Sequence, residues 1–545
     1  MTRPIAIFFF LTLFFTLLSK PYLATSASFI ADEFTEIHFG ARLAKGEAPF
    51  GPTWSTSKTP GLAYLLALPS VLFRDGQSIV LLSRLLMVPI ALLCIAALWY
   101  TALAINGKDG AFMAVILLCT CTTFIDRSFR LRTDLVSTTC WAWSLYFFLA
   151  RPKVGSFFFA GFLLTVGFLF TQKAVFFLIA GFFICLVQTE QSKKRAIGEF
   201  VGAILFTWLC YFMFFALQGL GWQCITNNFK AAKTGISGFY RSWGYGVTEF
   251  WRSPFFWLFG LFGLYQEGKE RRNLPLLAAS FVLIVLTIIQ NSKWPYYYLK
   301  LLPTWALLGS LFLSKLLAQL SKSNETLKAA LFTIFLFLLL LLPALYRFSF
   351  YWPAHPLLDR QLATIAWVEA VTDGDDVVFD GVGTIPTRPR AYRELFLRDL
   401  VLYRQGKYPA IIELLREKEC KIHIANYRTH NLPPKEKAWL KKHFVHDWGN
   451  VFVAGAIVDF AKEKEAWVDL HSSGTFLLSF SEPQSTVLIG EKSFKSGSIV
   501  TLAAGKVKLE VNEPCQLLIK YRASNKESPS FQEQPLAPIF ATYEM

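Results

Sequence analysis

Long apolar runs separated by short polar breaks fill the chain up to about residue 350, and the pattern then changes to short mixed segments. The first run, residues 5–23, follows Arg3 and predicts an anchor helix, with a cleaved signal peptide ending near Ala24-Thr25-Ser26-Ala27 as the rival reading. The many later spans need a start-transfer helix, which favours the anchor. Further runs cover residues 79–104, 111–125, 135–150, 157–171, 174–187, 197–217, 254–265, 274–289, 296–313 and 327–346. A bilayer core takes about 20 helical residues, so the shorter runs must draw on flanking aromatics. Residues 62–73 read either as an oblique surface helix or as a short span of their own. The expectation is a polytopic α-helical membrane protein of about 11–13 transmembrane helices.

Beyond Trp352 the periodicities are those of a water-exposed domain. Residues 358–371, 390–403, 408–419 and 434–443 predict helices, while 376–380, 421–425 and 451–455 predict strands. Alternation of the two argues for a small α/β unit. From residue 466 onward, 475–480, 486–489, 499–502, 507–511 and 516–521 read as short, turn-separated strands. The expected organisation is a transmembrane domain over 1–350, a soluble α/β domain over 355–462 and a β-rich appendage over 463–545.

Composition agrees with that division. Mean hydropathy is +0.41 and 17% of residues are charged, against roughly 25% in soluble proteins. The net charge of +16 is topological rather than a signature of nucleic-acid binding. Its basic residues cluster in the loops 106–108, 151–153, 191–195, 266–272 and 321–322, which the positive-inside rule assigns to the cytoplasm together with the N-terminus. The opposite side then receives 29–65, 126–134, 172–173, 219–253, 291–295 and everything after Trp352. This predicts a multi-pass membrane protein with its C-terminal part on the outer side. Most of the nine cysteines lie in apolar runs and read as small buried residues, not disulfide partners.

Candidate chemistry collects on the outer side. Asp32, Glu33, Glu36 and His38 follow the first run, and Ser57-Lys58-Thr59-Pro60 precedes the next. Arg127, Arg130, Arg132 and Lys173 stand where the charge rule disfavours them, as expected of cations that bind an anion at the membrane surface. The blander readings are snorkelling arginines, a solvated helix cap for Asp32-Glu33, and surface positions for Glu36 and His38. Lys230, Lys233, Arg241 and Trp243 sit in a long outer loop suited to closing over a substrate. His443 and His446 have metal-site spacing but lack further ligands and read as structural. No phosphate-binding loop, dinucleotide fingerprint or nucleophile elbow appears, so nucleotide-driven and hydrolase chemistry find no support.

Taken in order, four elements resemble the GT-C glycosyltransferases, most closely the protein O-mannosyltransferases and the lipid A aminoarabinose transferases. These are Asp32-Glu33 after the first span, Lys58-Thr59-Pro60 before the next, Arg130-Leu131-Arg132-Thr133-Asp134 at a later span, and Gln172-Lys173-Ala174. Tyr296-Tyr297-Tyr298-Leu299-Lys300-Leu301-Leu302-Pro303 is similar to that family's Tyr-Leu-Leu-Pro stretch. The resemblance implies a GT-C fold in the bacterial inner membrane with a periplasmic C-terminal domain, and transfer of a sugar from a polyprenyl-phosphate-linked donor, with inversion, to a lipid, glycan or protein hydroxyl. It implies Asp32 as the base with Glu33 beside it. Lys58, Arg130, Arg132 and Lys173 would bind the donor phosphate, and Asp134 and Tyr297 would support the sugar or the site. A divalent metal is compatible with such chemistry without being required by it. The competing expectations are a transporter or flippase for a lipid-linked anion, and an assembly protein that binds a partner through its C-terminal part. Charges at helix ends and the lack of a visible repeat favour the enzyme.

Overall fold

The computed structural model describes residues 2–50, 59–150, 153–188, 190–226, 244–290, 295–322, 326–350, 356–461, 463–523 and 536–540. It forms two compact units that do not follow the chain in sequence. One comprises Met1–Ala27, Thr56–Leu62 and Ser83–Ala354; the other comprises Ser28–Ser55, Ala63–Leu82 and His355–Met545. Among the described residues, five helices are long and apolar enough to cross a membrane: Pro4–Ser26, Gly76–Thr120, Ser192–Leu217, Tyr296–Leu320 and Ala330–Ser349. Shorter apolar helices include Ser156–Phe170, Gln172–Leu186 and Leu274–Ile289.

In the first unit the 34-residue helix Met87–Thr120 is broken at Gly107 (φ 68°, ψ −170°). The rings of Trp99 and Phe112, on opposite sides of that glycine, lie 5.2 Å apart. A straight helix would separate them by about 20 Å, so the chain doubles back there, where the sequence placed a polar break between two spans. Helix packing elsewhere uses glycine for close approach: a Cβ on Gly263 would stand 2.0 Å from the Leu308 carbonyl oxygen. At one end of this unit Leu23, Ala24, Ala27, Ile125 and Phe129 form a buried cluster. Beside it Arg347 Nε donates to both Asp126 oxygens at 2.8 Å. That cluster and ion pair hold the segment 126–134 in place.

The second unit is built on two sheets. The larger has the strand order β1 (Val378–Phe379), β2 (Ile422–Ile424), β4 (Val451–Asp459), β11 (Gln516–Tyr521), β6 (Gly474–Phe480) and β9 (Ile499–Leu502), with β3 (Phe444–Trp448) also paired to β4. β1 and β2 are parallel and the other pairs antiparallel. The smaller sheet orders β5 (Glu465–Leu470), β10 (Gly505–Val511), β7 (Thr486–Ile489) and β8 (Lys492–Lys495). Because β6, β9 and β11 join β4, the larger sheet takes strands from both of the segments 355–462 and 463–545.

Two local expectations change. Residues 390–396 are not helical: Ala391 N–H donates to the Val378 carbonyl at 2.9 Å, so this stretch runs beside β1 and the helix begins only at Leu397. β3 follows directly on the helix Pro434–His443 with no turn residue to mark it.

Candidate functional site

The sequence-predicted residues fall into two groups, one in each unit. In the first unit, Arg132 adopts extended backbone (φ −137°, ψ 135°) and starts the helix Thr133–Leu145, which places Asp134 in its first turn. Thr171, also extended, accepts the Lys173 N–H through its side chain and opens the short turn Gln172–Ala174. These two local caps bring Lys173 Nζ to 3.2 Å from Asp134 Oδ1, while Arg132 Nε lies 3.6 Å from Asp134 Oδ2. One carboxylate thus spaces two cations. Aromatic faces complete the cage: the Arg132 guanidinium lies 3.5 Å from the Tyr296 ring centre, and Lys173 Nζ lies 4.2 Å from that of Tyr297. Arg130 rests on the Phe129 ring, which it shares with Arg84. Lys58, Lys230, Lys233, Arg241 and Trp243 lie outside the described residues.

Lys300 joins this group without having been singled out from the sequence. It lines the same pocket as Asp134, Lys173, Gln290, Tyr296 and Tyr297. It is buried, and its ammonium donates to Gln290 Oε1 at 2.8 Å and sits 4.2 Å from the Phe176 ring centre. Among the described residues it has no ion-pair partner. A buried ammonium normally needs a counter-charge, and the carboxylate that lines this pocket with it is Asp134. The available signal was an ionisable residue inside an otherwise apolar run.

Lys300 belongs to the 3₁₀ helix Pro295–Leu301. At three residues per turn, Tyr297 and Lys300 share one face and Tyr298 and Leu301 another. The first pair lines the cationic pocket; the second lines an apolar cavity of about 460 Å³ together with Phe250, Trp257, Ile284 and Trp305. A single turn of chain therefore faces a charged pocket on one side and an apolar one on another.

In the second unit, Asp32 and Glu33 occupy the first turn of the helix Ala31–Ala44, where the helix dipole favours negative charge. Glu33 is fully buried and its Oε2 accepts the Ile30 N–H at 2.9 Å, closing the start of the helix. The helix docks on the segment 380–387. Thr35 Oγ1 donates to the Val382 carbonyl at 2.8 Å, His38 Nδ1 lies 3.3 Å from that of Ile385, and Lys45 Nζ donates to that of Thr387 at 2.7 Å. Glu36 and His38, expected at the surface, are buried. The physical reason is this docking, which covers the polar face that the sequence shows facing water. Burial, with Arg390 and Arg42 nearby, holds the His38 imidazole neutral, well below the ordinary histidine range. Asp380 organises the docking segment, its carboxylate accepting the N–H groups of Val382, Gly383 and Thr384.

Asp32 itself remains partly exposed and pairs with the buried Arg428, Oδ1 to Nη2 at 3.1 Å. Nothing in the sequence marked Arg428, which lies 396 residues away. Among the described residues no group of three His, Cys, Asp or Glu side chains is arranged to hold a metal ion. His443 packs instead between the rings of Trp439 and His471.

Residues 57–215 match the family model described as dolichyl-phosphate-mannose-protein mannosyltransferase. The fold is similar to that of ArnT from Cupriavidus metallidurans, solved bound to undecaprenyl phosphate, with a TM-score of 0.58 at 14% identity over 82% of this chain and 97% of that one. It is also similar to the apo oligosaccharyltransferase of Archaeoglobus fulgidus, with a TM-score of 0.52 at 11% identity over 77% of this chain and 69% of that one. No curated protein sequence matches the chain. The chain thus shares the fold of these membrane proteins, and its residues 57–215 are similar to the protein mannosyltransferase family.

Proposed function

We propose that the protein transfers a sugar from a polyprenyl-phosphate donor to an acceptor hydroxyl at the outer face of the bacterial inner membrane, inverting the anomeric centre. The observation that carries this reading is the two-faced 3₁₀ helix Pro295–Leu301, with a cationic pocket on one face and an apolar cavity on another. A donor with an anionic head and a long apolar tail satisfies both. ArnT, similar in fold, was solved with such a lipid phosphate bound.

In the proposed reaction Asp32 accepts the proton of the acceptor hydroxyl as its oxygen bonds to the anomeric carbon. The bond from that carbon to the phosphate oxygen breaks, and its electron pair leaves with the lipid phosphate. The developing negative charge is met by Arg132, Lys173 and Lys300, held in place by Asp134, Gln290 and the tyrosine rings. Cations fixed beforehand stabilise that charge without reorganising. Lys58 and Arg130 are further phosphate contacts by resemblance, Tyr297 supports the cage, and Glu33 secures the helix that carries Asp32. The sugar is a hexose or pentose, and the acceptor is a hydroxyl of lipid A, another glycolipid, a glycan or a protein.

The test is to incubate purified protein with a panel of radiolabelled polyprenyl-phosphate sugars and bacterial envelope extract. Label moving to an extractable acceptor with release of polyprenyl phosphate is the expected result. Binding of the donor without any transfer, coupled to its movement across a vesicle bilayer, would replace the enzyme by a flippase.

A further inference from the structure

Arg428 is held from several sides. Its Nη1 donates to the Gly381 carbonyl at 2.9 Å, its Nε to Tyr427 Oη at 3.1 Å, and its guanidinium lies 4.6 Å from the Phe396 ring centre. Each support is itself fixed. Gly381 has φ +65°, a left-handed conformation that glycine adopts without strain, and it lies in the segment organised by the Asp380 carboxylate. Asn426 caps the short helix Tyr427–His430 and donates through Nδ2 to the Asp380 carbonyl at 2.8 Å. The remaining nitrogen, Nη2, meets Asp32. The Arg428 side chain is 3% exposed and that of Asp32 27%, so the cation is locked inside while the carboxylate stays reachable. The other charged group acting on the guanidinium is Glu394, 3.5 Å from Arg390; Glu33 and Glu36 are the carboxylates on Asp32's own helix.

We propose that Arg428 is a positioning residue for Asp32, fixing the orientation of the carboxylate and keeping it ionised to take the acceptor's proton. This rests on the reading of Asp32 as the base, and it makes the C-terminal domain a working part of the site. A charge pair held by a rigid guanidinium fork narrows the orientations of the partly exposed carboxylate.

The experiment is steady-state sugar transfer across pH by the full-length protein, comparing wild type with Asp32→Asn, Arg428→Gln and Arg428→Lys. Arg428→Gln is expected to lower kcat by about 10- to 100-fold with donor KM changed less than about threefold. It should also move the acid limb of the profile to higher pH, because a carboxylate that loses a neighbouring cation is protonated more easily. Arg428→Lys should keep the limb in place and recover part of kcat. Should Arg428→Gln fail to fold, Phe396→Leu removes the ring beneath the guanidinium while leaving both charges, and a several-fold loss of kcat with an unmoved limb is expected. Unchanged kcat and pH dependence in the glutamine variant, or in the leucine variant where that one is needed, would overturn the proposal while leaving the function standing. A rise in donor KM with kcat intact would overturn it too, by making Arg428 a phosphate ligand. Wild type without transfer, or a fully active Asp32→Asn, would refute the functional reading and this inference with it.

Discussion

Lys300 offers the sharpest test of the proposed donor-phosphate pocket, because its contacts separate a binding role from a structural one. Replacement by Met keeps the apolar stem and removes the ammonium, whose described polar contact is Gln290 at 2.8 Å. If the pocket takes a phosphate about 4 Å from Nζ, the direct attraction is about 4 kcal/mol at an effective dielectric of 20. Water competes for both ions, and a hydrogen bond between charged groups contributes about 1.5–3 kcal/mol net. That corresponds to a loss of about 10- to 100-fold in affinity. The fold has the opposite expectation. A buried charge without an ion-pair partner costs stability, so Lys300→Met should melt at the same temperature as wild type or higher. The assay is displacement of a fluorescent polyprenyl phosphate from detergent-solubilised protein, with thermal unfolding followed in parallel. Affinity within twofold of wild type, or a clear fall in melting temperature, would refute the reasoning and make Lys300 a structural residue.

Two further predictions concern the second unit. Gly383 has φ +91°, and a Cβ there would stand 2.9 Å from His38 Cβ, so Gly383→Ala should cost about 2 kcal/mol and lower kcat by loosening the acidic helix. Gly374→Ala, where a Cβ meets nothing within 4 Å, is the control in denaturant unfolding. His423 is held neutral by burial, its pKa lowered to about 4, whereas an unfolded histidine titrates near 6.5. As pH falls from 6.5 to 4 the unfolded chain takes up a proton that the fold refuses, so stability should fall by about 1.4 kcal/mol per pH unit from this residue. Melting in detergent from pH 7 to 4.5 should show that decline, and His423→Phe, placed among Phe379, Phe444 and Phe452, should make it shallower by that amount, with the buried His38 and His471 keeping their share.

The helices and most strands were legible because each carries its own period. The hairpin at Gly107 was announced by Asn106-Gly107-Lys108 between two apolar runs, and β6, β7, β9 and β11 lie where alternation placed them. What escaped depends on partners distant in sequence. Residues 390–396 have helical composition, yet backbone hydrogen bonding beside β1 overrides it. Glu36 and His38 look like surface residues until the segment 380–387 covers them. Within the site, Arg132, Asp134 and Lys173 were readable from motif order, and the structure brings them together. Arg428 was not, because its pairing with Asp32 spans 396 positions and leaves no local pattern.

The central claim is that Asp32 takes the acceptor's proton in an inverting transfer from a lipid phosphate. Its most direct measurement is the rate and anomeric configuration of sugar transferred by purified wild type and by Asp32→Asn. The account predicts inverted product from wild type and a loss of about 10²- to 10⁴-fold in the variant, with polyprenyl phosphate still bound. Wild-type rates from a folded Asp32→Asn protein, or product of retained configuration, would contradict it.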